Sequence, residues 1–299
     1  MDRKSNDRRS VLMMVSSMII FGTIGIFRRS IPASSAFLAF TRGMLGGLCI
    51  LLFLRFRKSP DRESIPRRTL PGLIVSGMLI GINWMLLFEA YNHTTVAIAT
   101  LCYYMQPTIV ILLSPLIFHE KLTGKKAACA AVAVVGMVLV SGVLDSGASQ
   151  GGNIKGVAFG LGAALFYSAV VILNNRISGI DPYRKTTVQL LSAGLVMIPY
   201  LFLTGGTGAE NLTPSAIVLL LIVGIVHTGF AYVLYFGSMD GLRVQTVAIL
   251  SYIDPVSALL FSAFLLREPL SVLNVIGAVL IIGSAVFGGI RKPDSAAAR

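Results

Sequence analysis

The chain has 299 residues, of which 55% are apolar and 13% charged, and its mean hydropathy is +0.80. A soluble domain carries about 25% charged residues, and a globule of this size cannot bury so much apolar surface. The composition therefore excludes an ordinary soluble enzyme, a disordered chain and a fibrous repeat. It predicts an all-α integral membrane protein with the lipid bilayer as its surroundings.

Ten stretches are apolar enough for membrane helices, which need about 20 residues each. The connections between these stretches are short, and no soluble domain is inserted. In chain order, the predicted spans 1 to 10 are Val11–Phe27, Ala33–Leu54, Leu70–Ala90, Thr95–Ile117, Ala127–Leu144, Gly156–Asn174, Thr186–Leu203, Pro214–Gly237, Val244–Leu266 and Val272–Ile290.

The formal net charge is +12, and the positions of the basic residues explain it. With the N-terminus in the cytoplasm, 20 of the 25 Lys and Arg residues fall in cytoplasmic segments and four in exterior loops. Only Arg42 lies within a span. Because cytoplasmic loops of membrane proteins are rich in Lys and Arg, we predict a multi-pass protein of the cytoplasmic membrane with both termini inside. No nucleic-acid partner is needed to explain the charge, and none is predicted.

The second half of the sequence repeats the first at an offset of 148 residues. Pro107 then aligns with Pro255 and Glu120 with Glu268, without a gap from Gly81 to Leu122. Each half holds five spans, so the second half enters the membrane from the opposite side. Inverted repeats of this kind are typical of secondary transporters. The predicted units are two inverted five-helix repeats, residues 1–145 and 156–299, joined by a linker at 146–155.

Two stretches, Thr94–Thr123 and Val244–Ser271, resemble the fourth helix of an EamA domain and the turn that follows it. Each has a mid-helix proline and an E-[KRP]-L-[ST] turn, and each leads into a glycine-rich helix. From Val11 to Ile290 the chain is similar to EamA transporters of the drug/metabolite transporter superfamily. This resemblance implies a ten-helix transporter of small metabolites such as amino acids, sugars or amines, with export the more common direction. Asp254 departs from the family pattern, which usually has an apolar or small residue there.

Three formal charges lie within the predicted spans: Arg42, Glu89 and Asp254. A charge at the bilayer centre costs about 2.5 kcal/mol or more on insertion scales. Arg42 and Asp254 lie near the midplane, whereas Glu89 lies at the outer end of span 3. Arg42 either contacts the substrate or locks span 2 to a neighbour, and Asp254 either pairs with Arg42, binds a cationic group or carries a proton. The two charges either pair directly or hold the two ends of a zwitterionic or polar substrate, and we favour the second arrangement.

Further polar and aromatic side chains reach a similar depth. Together with Arg42 and Asp254, the predicted substrate-binding residues are Asn83, Trp84, Tyr103, Tyr104, Gln106, His227, Tyr232 and Tyr252. The amides and the histidine also suit interhelical hydrogen bonds of about 0.6 kcal/mol each, and the aromatic rings also suit packing. Pro107 and Pro255 are predicted helix breaks, each freeing the carbonyl four residues earlier. Glu120 and Glu268 are interpreted as turn caps or gate anchors.

These features predict a secondary transporter that moves a small polar metabolite by alternating access, and the resemblance to EamA transporters implies the export direction. No P-loop is present, so a proton or substrate gradient is the predicted energy source. No cofactor or metal site is predicted. The alternatives are an importer or exchanger of sugars or amines, a membrane-embedded enzyme, which needs clustered acid–base groups, and a channel, which needs a selectivity filter or a ring of charges. Substrate identity, coupling ion and oligomeric state stay open.

Overall fold

The computed structural model describes residues 3–57, 65–118, 123–141, 150–204, 212–239 and 241–289. Over these residues the chain is helical and forms no strands, which confirms the predicted all-α class. The helices are α1 (Arg3–Gly22), α2 (Ile24–Ser30), α3 (Ser35–Phe56), α4 (Leu70–His93), α5 (Val96–Tyr103), α6 (Gln106–Phe118), α7 (Gly124–Val140), α8 (Gln150–Asn175), α9 (Pro182–Leu195), α10 (Met197–Leu203), α11 (Pro214–Gly224), a π-helical segment (Ile225–Phe230), α12 (Ala231–Met239), α13 (Val244–Leu250), α14 (Ile253–Phe264) and α15 (Val272–Gly289).

Seven helical segments of 22 to 26 residues are long and apolar enough to cross a bilayer. Four of these segments combine helices that follow directly on one another, such as α1 with α2. Apolar helices α14 and α15 are shorter. The seven long segments are Arg8–Ser30, Ser35–Phe56, Leu70–His93, Val96–Ile117, Ile154–Asn175, Pro182–Leu203 and Pro214–Met239. The chain is therefore a multi-pass membrane protein.

Polar side chains at the first turns fix where several helices begin. An oxygen of the preceding Ser, Thr or Asp accepts a backbone N–H of the first turn, which would otherwise lack a partner. Proline in the first turn of α4, α9 and α11 loses no helical hydrogen bond, because N–H groups there have no helical acceptor. The capping residues are Ser34 for α3, Thr95 for α5, Thr123 for α7, Asp181 for α9 and Thr213 for α11.

Glycines let the main helix pairs approach closely. Helix α3 packs on α9, and a Cβ at Gly43 would lie 2.6 Å from the backbone nitrogen of Gly194. Helix α7 packs on α15, where a Cβ at Gly136 would lie 2.8 Å from the carbonyl oxygen of Gly277. Small residues commonly line such contacts between membrane helices, because lipid gives no hydrophobic drive for association. A third tight pair, α4 with α8, completes the scaffold around the centre of the molecule.

Some local features differ from the sequence prediction. Helix α8 begins at Gln150, so residues 150–155, predicted as linker, are helical. The first predicted span is interrupted at Thr23, and the eighth contains the π-helical segment; the sequence analysis predicted neither. Glu120 and residues 142–149 lie outside the described residues.

Candidate functional site

A cavity of about 350 Å³ lies at the centre of the bundle. Helices from both halves of the chain enclose it, and most of its polar lining consists of hydroxyl groups on aromatic rings. Ligand pockets in proteins start near this volume, so the cavity suits a small solute. Seven predicted site residues line it: Arg42, Trp84, Tyr103, Tyr104, Gln106, Tyr232 and Asp254.

Two interrupted helices meet at this cavity. Helix α5 ends at Tyr103 and α6 begins at Gln106, one residue before Pro107. Helix α13 ends at Leu250 and α14 begins at Ile253, two residues before Pro255. Irregular backbone at membrane depth is tolerated where it is buried in protein or lines a cavity.

The backbone at the second interruption is largely satisfied by short-range hydrogen bonds. The Ser251 carbonyl, predicted to be freed by Pro255, accepts the N–H of Asp254 at 3.4 Å. The Tyr252 carbonyl accepts the N–H of Val256 at 3.3 Å. The N–H of Asp254 therefore donates to the carbonyl that would otherwise accept the N–H missing from Pro255. Ser251 lies in this tight turn and lines the cavity.

Arg42 is the cation of the cavity. Its side chain extends from α3 and is 6% exposed. Its Nε donates to Thr228 Oγ1 at 2.9 Å, and its Cζ lies 4.0 Å from the centroid of the Trp84 ring. Stacking on an aromatic face stabilises a desolvated guanidinium. The ion pairs of the described residues do not include Arg42, so it forms no salt bridge with Asp254.

The π-helical segment orients Thr228 toward Arg42. A π turn widens the helix by one residue, and such turns are frequent at functional sites. Thr228 Oγ1 donates to the carbonyl of Val223, five residues earlier, at 3.0 Å and accepts from Arg42 Nε. Close contact of Gly46 with the Thr228 side chain brings α3 against this segment.

Asp254 is the carboxylate of the cavity. It lies in the first turn of α14, where the helix dipole favours a negative charge. The Tyr104 hydroxyl donates to Asp254 Oδ2 at 2.6 Å, across the boundary between the two halves of the chain. The Tyr103 ring packs 5.6 Å from the Tyr104 ring and 5.5 Å from the Tyr167 ring. The carboxylate therefore lies at one side of a cluster of aromatic rings.

Three predicted site residues lie outside the cavity lining. Asn83 is fully buried and its Nδ2 donates to the Ala163 carbonyl at 2.6 Å, where it joins α4 to α8. His227 Nε2 lies 2.7 Å from Thr23 Oγ1, at the interruption between α1 and α2. Tyr252 packs its ring 6.5 Å from that of Tyr104. Depth in the membrane, the basis of the prediction, does not fix which way a side chain points around its helix.

The cavity also has lining residues that the sequence analysis did not select. Five of them carry hydroxyl groups, and three of these five are tyrosines. A tyrosine in mid-span is a usable signal because tyrosine favours the membrane interface. The apolar residues from α1 and α2 carry no such signal. The added polar residues are Tyr91, Thr100, Tyr167, Tyr235 and Ser251, and the added apolar residues of α1 and α2 are Met18, Phe21 and Ile24.

The EamA-like transporter family model matches the chain twice, over residues 8–142 and again over 154–288. The chain belongs to the EamA-like transporter family. This EamA protein is 28% identical over 291 residues to the uncharacterized transporter YxxF of Bacillus subtilis (strain 168), which covers 96% of this chain and 91% of that protein. It is also 28% identical over 276 residues to an uncharacterized transporter of Archaeoglobus fulgidus, covering 92% of this chain and 94% of the other.

The EamA protein is also similar to one further curated protein in sequence and to one solved structure in fold. Protein PecM of Dickeya dadantii is 27% identical over 223 residues, 72% of each chain. A solved crystal structure of a protein superposes with a TM-score of 0.63, at 19% identity, over 94% of this chain and 95% of the other. At that identity the superposition shows a shared fold alone.

The site can therefore bind a small solute by charge and by aromatic contact. A guanidinium with free donors suits a carboxylate, and a carboxylate among tyrosines suits an ammonium group. Within the described residues, no three His, Cys, Asp or Glu side chains come together as metal ligands.

Proposed function

We propose that this EamA protein is a secondary active transporter that exports amino acids or related zwitterionic solutes across the cytoplasmic membrane. The observation that carries this proposal is the placement of Arg42 and Asp254, unpaired with each other, in one cavity between two interrupted helices. Interrupted helices in corresponding positions of two repeats are the best pointer to a transporter's binding site. The α5–α6 and α13–α14 interruptions occupy such positions, since Pro107 and Pro255 align in the repeat.

The proposal includes ten spans arranged as two inverted five-helix repeats. Helices α1–α2, α3, α4, α5–α6 and α7 form the first repeat, and the remaining helices form the second. The two matches of the family model, each covering one half of the chain, support this division. Both termini lie in the cytoplasm in this arrangement, as the distribution of Lys and Arg favours.

The substrate carboxylate binds Arg42 in this proposal. Arg42 donates Nε to Thr228, so the two terminal nitrogens of the guanidinium are left to meet a ligand. Trp84 holds the plane of the guanidinium and so limits its rotation. A fixed planar cation binds a carboxylate through two parallel hydrogen bonds, which adds orientation as well as affinity.

Asp254 binds the substrate ammonium and carries the proton that couples export to a gradient. Its hydrogen bond from Tyr104 links the carboxylate to the first half of the chain. A change in protonation at Asp254 therefore alters a contact between the halves. Intramembrane carboxylates are recurrent proton carriers in transporters.

A binding screen of the purified protein tests the substrate class. We expect amino acids with apolar or aromatic side chains to raise the apparent melting temperature, because a ligand that binds only the folded state stabilises it, by about 2.7 kcal/mol at 100 times its Kd. Sugars, nucleosides and simple amines serve as the comparison panel. Stabilisation by sugars or simple amines alone, with no response to amino acids, contradicts the proposed substrate class.

Flux measurements test the mechanism separately. In proteoliposomes, a transporter that works by alternating access saturates with substrate and shows counterflow. Flux that rises linearly with concentration and shows no counterflow indicates a channel and contradicts the proposal.

A further inference from the structure

One carboxylate outside the cavity joins the two halves of the chain at the end we assign to the exterior. Glu268 lies between α14 and α15, directly after Arg267, which adopts a left-handed backbone conformation with φ of 53°. Its N–H donates to the carbonyl of Ser262 at 3.1 Å. A left-handed residue after a helix reverses the chain, and here the reversal carries Glu268 back over the end of α14.

The Glu268 carboxylate then accepts hydrogen bonds from both halves. Its Oε1 accepts from Arg29 Nη2 at 2.8 Å, and its Oε2 accepts from the backbone N–H of Val96 at 2.7 Å and from Ser262 Oγ at 2.5 Å. Arg29 donates in addition to the Thr94 carbonyl at 2.8 Å. The Glu268 side chain is 12% exposed and that of Arg29 is 37% exposed. We call the contact of Glu268 with Arg29 and Val96 the outer latch.

The outer latch closes over helices that line the cavity. Val96 begins α5, which supplies Thr100 to the lining, and α14 supplies Asp254 and Ala258. Helix α5 packs against α14. In the repeat, α5 corresponds to α13 and α14 corresponds to α6. Among the described residues, α6 and α13 do not pack against each other to the extent that α14 and α5 do. At the opposite end, the described ion pair between the halves, Arg57 with Asp181, links the end of α3 to the start of α9 and not α6 to α13.

Distance excludes Glu268 from substrate binding. Asp254 lies in the first turn of α14 and Glu268 follows the last, so a 12-residue helix of about 18 Å separates them. At that position the hydrogen-bonded Glu268 carboxylate holds helices together and does not contact the solute in the cavity.

We propose that the outer latch holds the cavity shut toward the exterior, and that export requires Glu268 to release Val96 and Arg29. The inference rests on the proposed alternating-access function, because it assigns one step of that cycle to a positioning residue. In the latched state the cavity is closed to the exterior. Release of the carboxylate frees the N-terminus of α5 from α14 and opens the cavity outward.

Labelling of a reporter cysteine from the outside tests the latch. The native residues Cys49, Cys102 and Cys129 are first replaced by alanine, and Ala258→Cys places the reporter in the cavity lining. A membrane-impermeant maleimide is then added to intact cells. We expect Glu268→Gln to raise the labelling rate about tenfold, since a charge-assisted interaction is replaced by neutral ones. Arg29→Gln removes one of the two bonds from the first half and is expected to raise the rate by a smaller factor.

Glu89 provides a matched control. It is a second carboxylate at the same end of the bundle, but its contacts with Ser35, Asn92 and His93 all lie within the first half. Glu89→Gln is therefore expected to leave the labelling rate unchanged. Glu268→Asp, which keeps the charge, is expected to restore part of the slow labelling.

A labelling rate equal to that of the parent in both Glu268→Gln and Arg29→Gln overturns the proposal. Arg29 is partly exposed, so its variant keeps the test valid if Glu268→Gln does not fold. An equal increase in Glu89→Gln also overturns it, because the effect then lacks specificity for the contact between halves. The labelling rate is read without any substrate. Failure of the latch therefore stays separate from failure of the transport function, which counterflow measures.

Discussion

Replacing Arg42 by lysine keeps the charge of the cavity but removes the geometry that we propose for carboxylate binding. A lysine ammonium has no planar fork, cannot stack as a plane on Trp84, and cannot bond Thr228 while also presenting two parallel donors. A hydrogen bond to a charged group contributes about 1.5–3 kcal/mol. Losing one such bond to the substrate corresponds to a rise of about tenfold to a hundredfold in the half-saturation concentration.

The assay is amino-acid counterflow in proteoliposomes, with Arg55→Lys as the matched control. Arg55 lies on the same helix as Arg42, but its side chain is exposed. We expect Arg42→Lys to fold, to retain counterflow at high substrate concentration, and to saturate later than the parent. Arg55→Lys is expected to match the parent. A folded Arg42→Lys protein with an unchanged half-saturation concentration refutes the role of the guanidinium in binding.

Three other changes test the coupling, the packing and the topology. Asp254→Asn is expected to lose pH-driven transport while retaining substrate exchange, and unchanged gradient-driven transport contradicts the proton-carrier role. Gly43→Ala is expected to lower the melting temperature, because overpacking against the α9 backbone costs about 1–3 kcal/mol; Gly283→Ala, where a Cβ meets nothing within 4 Å, is the control and keeps or raises it. Reporter fusions at Lys58 and Ser146 are expected to report cytoplasm and exterior respectively, and matching signals contradict the inverted arrangement.

The sequence predicts the helical class and much of the cavity lining because residue type alone indicates which side chains are energetically unfavourable in contact with lipid. Arg42 and Asp254 are expensive at mid-depth, so a protein retains them only in a polar interior. Pro107 and Pro255 predict irregular backbone because proline lacks an N–H, and both helix interruptions lie within four residues of these prolines. Trp84 in mid-span is likewise out of place for lipid, and it lines the cavity.

The direction of each side chain around its helix is not predictable in the same way. In a soluble protein a polar stripe marks the exposed face of a helix, but in a membrane bundle the face toward lipid and the face toward the core are both apolar. Asn83 and His227 thus reach the predicted depth and point into helix contacts instead of the cavity. The π-helical segment packs against Gly46, a residue distant in sequence, so this contact gives no local signal in the sequence.

Competition with analogues that lack one charge tests the pairing of Arg42 and Asp254 with a zwitterion most directly. Counterflow of labelled leucine and phenylalanine is measured with three unlabelled competitors: the amino acid, its carboxamide without the carboxylate, and its deaminated acid without the ammonium. We expect the intact zwitterion to compete about tenfold or more better than either analogue, because each lost charge leaves a buried partner unpaired. Equal competition by all three compounds contradicts the proposed site.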